Sequence, residues 1–357
     1  MAAPEPRSTT MPDTADGRRR RQRWVIRGLL LSISLLLGLL LGEVLTRVLF
    51  YRSMDFDMEF WKYATQIKSP ASDPLLSHQH RTDRRAFLMG VDVSTNHLGF
   101  RGNETTLKKP ADTYRIVCLG DSLTFGWGVS QDQTFCAQLE RLLNANPPST
   151  LPSRVHYEVL NLGVGNYNTV QEVESLRTLG LQLDPDLVLL GYFINDAEPI
   201  SEPAPGFFVE HSYLYALMAS RTRRLPFRRS PVGSYKDYYR NLYRPDQPGW
   251  IAAQSALADL AAIGKAKHIP TVMYILPELH DLSPSYPFME VDHTLALIGA
   301  RLRMPVIDLF PALQGYSPEA NLWVSPGDAH PNALAHSILA RAMYKSLADG
   351  VLKPVGP

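Results

Sequence analysis

From Tyr114 onward the chain alternates two apolar patterns. Short runs rich in Leu, Ile and Val at 114 to 119, 156 to 163, 186 to 194, 270 to 276 and 305 to 309 predict strands. Between and after them, apolar residues recur every three or four positions, as in Leu139, Leu142 and Leu143, and predict helices at 132 to 145, 169 to 181, 250 to 267, 289 to 302 and 332 to 348. Five strands that alternate with helices imply an α/β fold with a parallel sheet covered on both faces. In such sheets functional groups gather beyond the carboxyl ends of the strands, and Ser122, Asn166 and Asn195 each fall just past a predicted strand end.

The alternation lapses over an insert, 197 to 248. It carries Arg221, Arg223, Arg224, Arg228 and Arg229, then Tyr235, Tyr238, Tyr239 and Tyr243. A solvated surface subdomain is the plain reading; a substrate lid or a basic surface facing anionic lipid or glycan is the sharper one.

A different pattern governs the amino-terminal part. Residues 1 to 23 are polar and end in the block Arg18-Arg19-Arg20-Arg21-Gln22-Arg23, which predicts a disordered basic tail. An uncharged run from Gly28 to Gly42 follows, extended by Val44, Leu45, Val48, Leu49 and Phe50 if Glu43 and Arg47 sit near an interface. No Ala-x-Ala-like cleavage site follows it, so a retained transmembrane anchor over residues 24 to 50 is expected rather than a cleaved signal peptide. The Arg block places the tail in the cytoplasm and the main domain on the far side, in the periplasm if the cell is Gram-negative. Residues 51 to 110 then read as a membrane-proximal linker region, and 111 to 352 as the main domain.

Charge narrows the function classes. The net charge is +1, and the first 27 residues hold seven Arg against three acids, +4 by difference, so the remainder carries about −3. That balance excludes a nucleic-acid binder reliant on many phosphate contacts. Cys118, in the first strand, and Cys136, on the apolar face of the next helix, read as small buried hydrophobes rather than a disulfide. No Cys/His cluster has metal-ligand spacing, and the loop Gly126-Trp127-Gly128 lacks the Lys of a phosphate-binding loop, so neither metal nor cofactor is expected.

The candidate chemistry centres on Gly120-Asp121-Ser122-Leu123, placed where the first strand ends and the chain turns. A serine hydroxyl is a weak nucleophile at neutral pH, so it requires a histidine base, an orienting group and oxyanion donors. Of ten histidines, His330 lies in the loop before the last helix, and Asp328, two residues earlier, shares its face in an extended segment. His97, His280 and His293 compete only for secondary roles, and surface or core positions suit them better. Oxyanion donors are expected from the Ser122 N–H, from Gly165 or Asn166 in the loop after the second strand, and from the Asn195 side-chain amide.

These blocks resemble the SGNH hydrolase superfamily, also called GDSL esterases and lipases, over about residues 114 to 350. The resemblance rests on Ser122 in Gly-Asp-Ser-Leu, the loop Gly163 to Asn166, Asn195 in Asn-Asp, and His330 in Asp-Ala-His-Pro. It implies a flavodoxin-like three-layer α/β/α sandwich with a five-stranded parallel sheet in the order 2-1-3-4-5, metal-free acyl-ester chemistry, and a triad of Ser122, His330 and Asp328. The anchor and Asn96-x-x-Gly99-Phe100-Arg101-Gly102 look like a membrane-tethered bacterial branch found in cell-envelope settings.

Three departures mark this chain. Asn166 stands where the family has an oxyanion glycine, with Gly165 one residue early; the Gly-x-Asn-Asp block reads Phe193-Ile194-Asn195-Asp196; and one residue rather than two separates Asp328 from His330. The expected activity is an anchored extracytoplasmic serine esterase acting on O-acetyl or other short acyl esters, with an envelope glycan or a lipid as the ester's carrier. An O-acyltransferase, a catalytically silent glycan-binding or scaffold domain, and a purely structural anchored protein stay open as alternatives.

Overall fold

The computed structural model describes residues 15 to 153, 155 to 200, 207 to 229 and 235 to 352, without the side chains of 15, 16 and 223 to 229. Residues 1 to 14 of the expected tail, and the side chains of Arg223, Arg224, Arg228 and Arg229, therefore lie outside the described residues. The amino-terminal apolar run forms the centre of one helix, α1 (Ala15–Phe50). Its start precedes the expected residue 24, because Arg and Gln are good helix formers and extend a helix already nucleated by Leu-rich turns. This helix is long and apolar enough to cross a membrane, and its most apolar window is not buried against the rest of the chain.

Residues 51 to 110, expected to be a linker, fold into a layer of their own. Helix α2 (Phe56–Gln66), N-capped by Asp55, is followed by two antiparallel hairpins, β1 (Lys68–Pro70) with β2 (His78–His80) and β3 (Arg85–Leu88) with β4 (Val91–Ser94). Tyr63, Ile67, Leu88, Met89 and Val93 from this layer close a small core with Phe125 and Trp127 of the main domain.

The main sheet consists of β5 (Thr113–Gly120), β6 (His156–Asn161), β7 (Leu187–Tyr192), β8 (Thr271–Ile275) and β9 (Val306–Asp308). All neighbours are parallel, in the order β6-β5-β7-β8-β9, which is the expected 2-1-3-4-5. Every residue of β7 is buried, as two-sided cover of a parallel strand requires. The nucleophile turn contributes the short α3 (Ser122–Phe125), and the crossovers supply α4 (Phe135–Ala145) and α5 (Thr169–Thr178).

The insert is helical. It holds α6 (Phe207–His211), α7 (Tyr213–Arg229) and α8 (Tyr235–Leu242), and then leads into the crossover helix α9 (Pro248–Lys267). Helices α10 (Met289–Leu302), α11 (Phe310–Leu313) and α12 (Ala333–Ala348) complete the fold, with a hairpin of β10 (Trp323–Ser325) and β11 (Asp328–Pro331) between the last two. Helix α4 packs with α12 on one side of the sheet, while α9 packs with α5 and α10 on the other, giving three layers.

The alternation lapses in the insert because α7 packs on α1 and α2 rather than on the sheet. Glu43 of α1 accepts from the Tyr213 and Leu214 N–H groups at 3.0 Å each and from the Ser212 hydroxyl at 2.8 Å, capping the start of α7. Arg47 donates to the same carboxylate at 2.7 Å, so both charges inside the apolar helix have partners. Cys118 and Cys136 are free and buried.

Candidate active site

Strand β5 ends at Gly120 with φ of 153°, where a Cβ would lie 2.0 Å from Thr124 Oγ1; only glycine permits so sharp an exit. Asp121 then caps α3 by accepting from the Leu123 N–H at 2.8 Å, which puts Ser122 at the first position of that helix. Two side chains hold the turn. Arg101, fully buried, donates to the carbonyls of Phe125 (3.0 Å), Gly126 (2.5 Å) and Val129 (2.5 Å). Asn161, at the end of β6, donates to the Thr124 carbonyl at 2.7 Å and accepts from the Gly163 N–H at 3.0 Å, tying the serine turn to the next loop.

The β10–β11 hairpin brings His330 to the serine. Its Nε2 lies 2.9 Å from Ser122 Oγ, and its Nδ1 lies 2.5 Å from Asp328 Oδ1. With Nδ1 donating to the carboxylate, Nε2 is left to accept the serine proton. Asp328 and His330 sit two apart on one face of β11, so the short Asp-x-His spacing still yields direct contact. The His330 N–H donates to Asp328 Oδ1 at 3.1 Å, and Trp127 Nε1 donates to Oδ2 at 2.8 Å. Burial pushes the Asp328 carboxyl up, but the imidazole, the backbone N–H and the indole together outweigh it and hold the pKa below the ordinary value.

Of the expected oxyanion donors, the structure separates Gly165 from Asn166. The Gly165 N–H is already donated to Tyr63 Oη at 2.8 Å, which removes it from the candidate set. Asn166 adopts φ of 66°, is exposed, and has no partner for its N–H among the described residues. Among these residues the Ser122 N–H, at the first turn of α3, is likewise without an acceptor. The Asn195 side-chain amide lies against the Asp121 carboxyl and helps to hold it ionised, while its Oδ1 has no partner among the described residues.

Below Ser122 lies a layer of buried acids. Burial raises the Asp121 pKa despite the Leu123 N–H, His330, Asn195 and Ser122 opposing it. Burial, with repulsion by Asp121, pushes the Glu172 carboxyl well above its ordinary value, and burial followed by repulsion from Glu172 and Asp121 does the same to Asp196.

The other candidate histidines do not reach the serine. His97 pairs with Glu104 at the surface, His293 is exposed on α10, and His280 pairs with Glu278 and packs on Trp323 with ring centroids 4.8 Å apart. Trp127 and Phe56 were not singled out by sequence, because an aromatic beside a glycine turn and one on a short upstream helix carry no local signal. Phe56 of α2 stacks on the His330 ring, with centroids 5.9 Å apart and planes at 23°. Among the described residues no group of three or more His, Cys, Asp or Glu is arranged to hold a metal.

The chain is similar to several solved structures. A lipase/acylhydrolase from Enterococcus faecalis superposes with a TM-score of 0.42 at 17% identity, covering 68% of this chain and 100% of that one. For an acetylxylan esterase from Geobacillus stearothermophilus the values are 0.42, 18%, 66% and 94%, and for the esterase EstA from Pseudoalteromonas sp. 0.41, 16%, 67% and 99%. A search of curated proteins gives no match. The sequence model of the GDSL-like lipase/acylhydrolase family matches residues 118–338, well over half of the chain. With the five-stranded parallel sheet and the Gly-Asp-Ser-Leu turn at its edge, this match shows that the chain belongs to the GDSL-like lipase/acylhydrolase family of ester-hydrolysing enzymes.

Proposed function

We propose that the protein is a membrane-anchored extracytoplasmic serine esterase that removes O-acetyl or other short acyl groups from a cell-envelope glycan. The observation that carries the reading is the relay from Ser122 Oγ to His330 Nε2 at 2.9 Å and from His330 Nδ1 to Asp328 at 2.5 Å. Ser122 attacks the ester carbonyl as His330 takes its proton, and the Ser122 and Asn166 N–H groups with the Asn195 amide receive the oxyanion. His330 returns the proton to the leaving alcohol; water then cleaves the acyl-enzyme. The preference for short acyl groups is supported by confinement, since Ser122 is only 6% exposed and Phe56 covers one face of the base. Residues 24 to 50 serve as the anchor, and residues 111 to 352 as the hydrolase domain with its insert at 197 to 248.

The same Phe56 cover restricts water at His330 and favours a second reading, transfer of the acyl group to a sugar hydroxyl. Full-length protein in detergent, given p-nitrophenyl acetate, the decanoate, and acetylated or free polysaccharide, separates these readings. Faster release from the acetate together with free acetate from the glycan supports the esterase. Acyl groups gained by the free polysaccharide, read by mass spectrometry, support the transferase. Absence of both activities contradicts the reading.

A further inference from the structure

The peptide between Gly165 and Asn166 is gripped from residues upstream of the family match. Its carbonyl, that of Gly165, accepts from the Lys68 ammonium, and its N–H is the Asn166 donor. Lys68 Nζ also donates to His78 Nε2 at 3.1 Å, and that imidazole nitrogen lies 3.2 Å from the same carbonyl. The preceding peptide is fixed as well. The Gly165 N–H donates to Tyr63 Oη, and the Tyr63 hydroxyl lies 2.6 Å from His80 Nε2, to which it donates. A Cβ on residue 165 would lie 2.7 Å from Tyr63 Cε1, so glycine is required for this approach. Lys68, Tyr63, His78 and His80 all come from α2, β1 and β2.

Lys68 is buried, and its ammonium stacks over Tyr63 and Phe60 at 4.6 and 5.4 Å from the ring centroids. Among the described residues no carboxylate forms a salt bridge with it. A buried lysine without an anionic partner costs stability, and folds retain such groups where they act. Hydrogen bonding at a peptide oxygen polarises the whole amide and makes its N–H a stronger donor.

We infer that Lys68 is a positioning residue for the esterase: by its bond to the Gly165 carbonyl it orients the Gly165–Asn166 peptide and strengthens the Asn166 N–H as an oxyanion donor. The inference rests on the serine-esterase reading and adds that residues 51 to 110 complete the active site. Desolvation lowers the Lys68 pKa to about 7, so the group is charged at pH 6; His78 and His80 on β2, Tyr63 on α2 and Tyr167 below His78 are the titratable groups facing this cluster.

The test is Lys68→Met in the full-length protein in detergent, assayed at about pH 6 with p-nitrophenyl acetate. An oxyanion donor acts on the transition state and not on bound substrate, so kcat falls about 10- to 100-fold while KM stays within about twofold. The melting temperature is unchanged or higher, since a buried charge has been removed; a merely structural role would lower it. The rate of inactivation by a fluorophosphonate falls in parallel with kcat. A folded Lys68→Met with kcat within twofold of the wild type overturns the inference. Should that variant not fold, Lys68→Leu removes the same bond to the Gly165 carbonyl, and a folded Lys68→Leu with kcat within twofold of the wild type also overturns it. If the wild type itself takes no fluorophosphonate, the esterase reading fails; if wild type and Lys68→Met label at equal rates, only the Lys68 inference fails.

Discussion

Replacing Asp328 by Asn tests the link between the base and its orienting group. The carboxylate side chain is 3% exposed and meets His330 Nδ1 at 2.5 Å. In the transition state the imidazole carries a full positive charge, and the two delocalised charges are centred about 4 Å apart. At an effective dielectric of about 20 that pair is worth about 4 kcal/mol. Loss of it predicts a fall in kcat of about a thousandfold. Geometry adds a second effect. The Asn carbonyl oxygen keeps the bond from Trp127 Nε1, which turns its NH2 toward His330 Nδ1 and imposes the wrong tautomer at Nε2. The assay is steady-state hydrolysis of p-nitrophenyl acetate near neutral pH, with thermal melting to show that the variant is folded. A loss of less than about tenfold in a folded variant would mean that another group orients His330.

Two further outcomes follow from the packing. Gly163→Ala would place a methyl group 2.3 Å from the Phe125 backbone N and 2.7 Å from the Thr124 carbonyl carbon, atoms of the nucleophile turn that have no room to shift. The expected result is loss of several kcal/mol of stability, read by chemical denaturation, and wild-type stability would refute the close approach. Lys68 makes stability depend on pH. Its folded pKa of about 7 lies below the ordinary lysine value of 10.5, so the unfolded chain binds the extra proton between those values and stability rises as pH increases through that window. From pH 6 to pH 9 the wild type gains about 2 to 3 kcal/mol relative to Lys68→Met; equal pH dependence of the two proteins would refute the buried charge.

The parts of the fold that were legible are those under two-sided burial. Strand β7 (Leu187–Tyr192) lies inside the predicted run 186 to 194 because every position of a doubly covered strand must be apolar, and α10 matches the predicted 289 to 302 because its apolar spacing stops at Arg303. The β1 and β2 strands were not legible; three residues each, with Lys68, His78 and His80 facing inward, they carry no alternation. Folding of that region also distinguishes the two candidate donors after β6. On paper only the register of the block favours Asn166 over Gly165, and the Tyr63 hydroxyl, 102 positions upstream, engages the Gly165 N–H and separates the two. Ser122, His330 and Asp328 could be paired from sequence because each lies in a block with its own turn chemistry. Trp127, which steadies Asp328, could not, because an aromatic beside a glycine turn carries no local signal of its partner.

The central claim is that Ser122 is the nucleophile. Its direct measurement is the intact mass of the full-length protein after reaction with a fluorophosphonate, followed by peptide mapping. The account predicts one adduct per chain, located on Ser122, and none in Ser122→Ala. An adduct of equal stoichiometry in Ser122→Ala, or one mapped to another residue of the wild type, would contradict it.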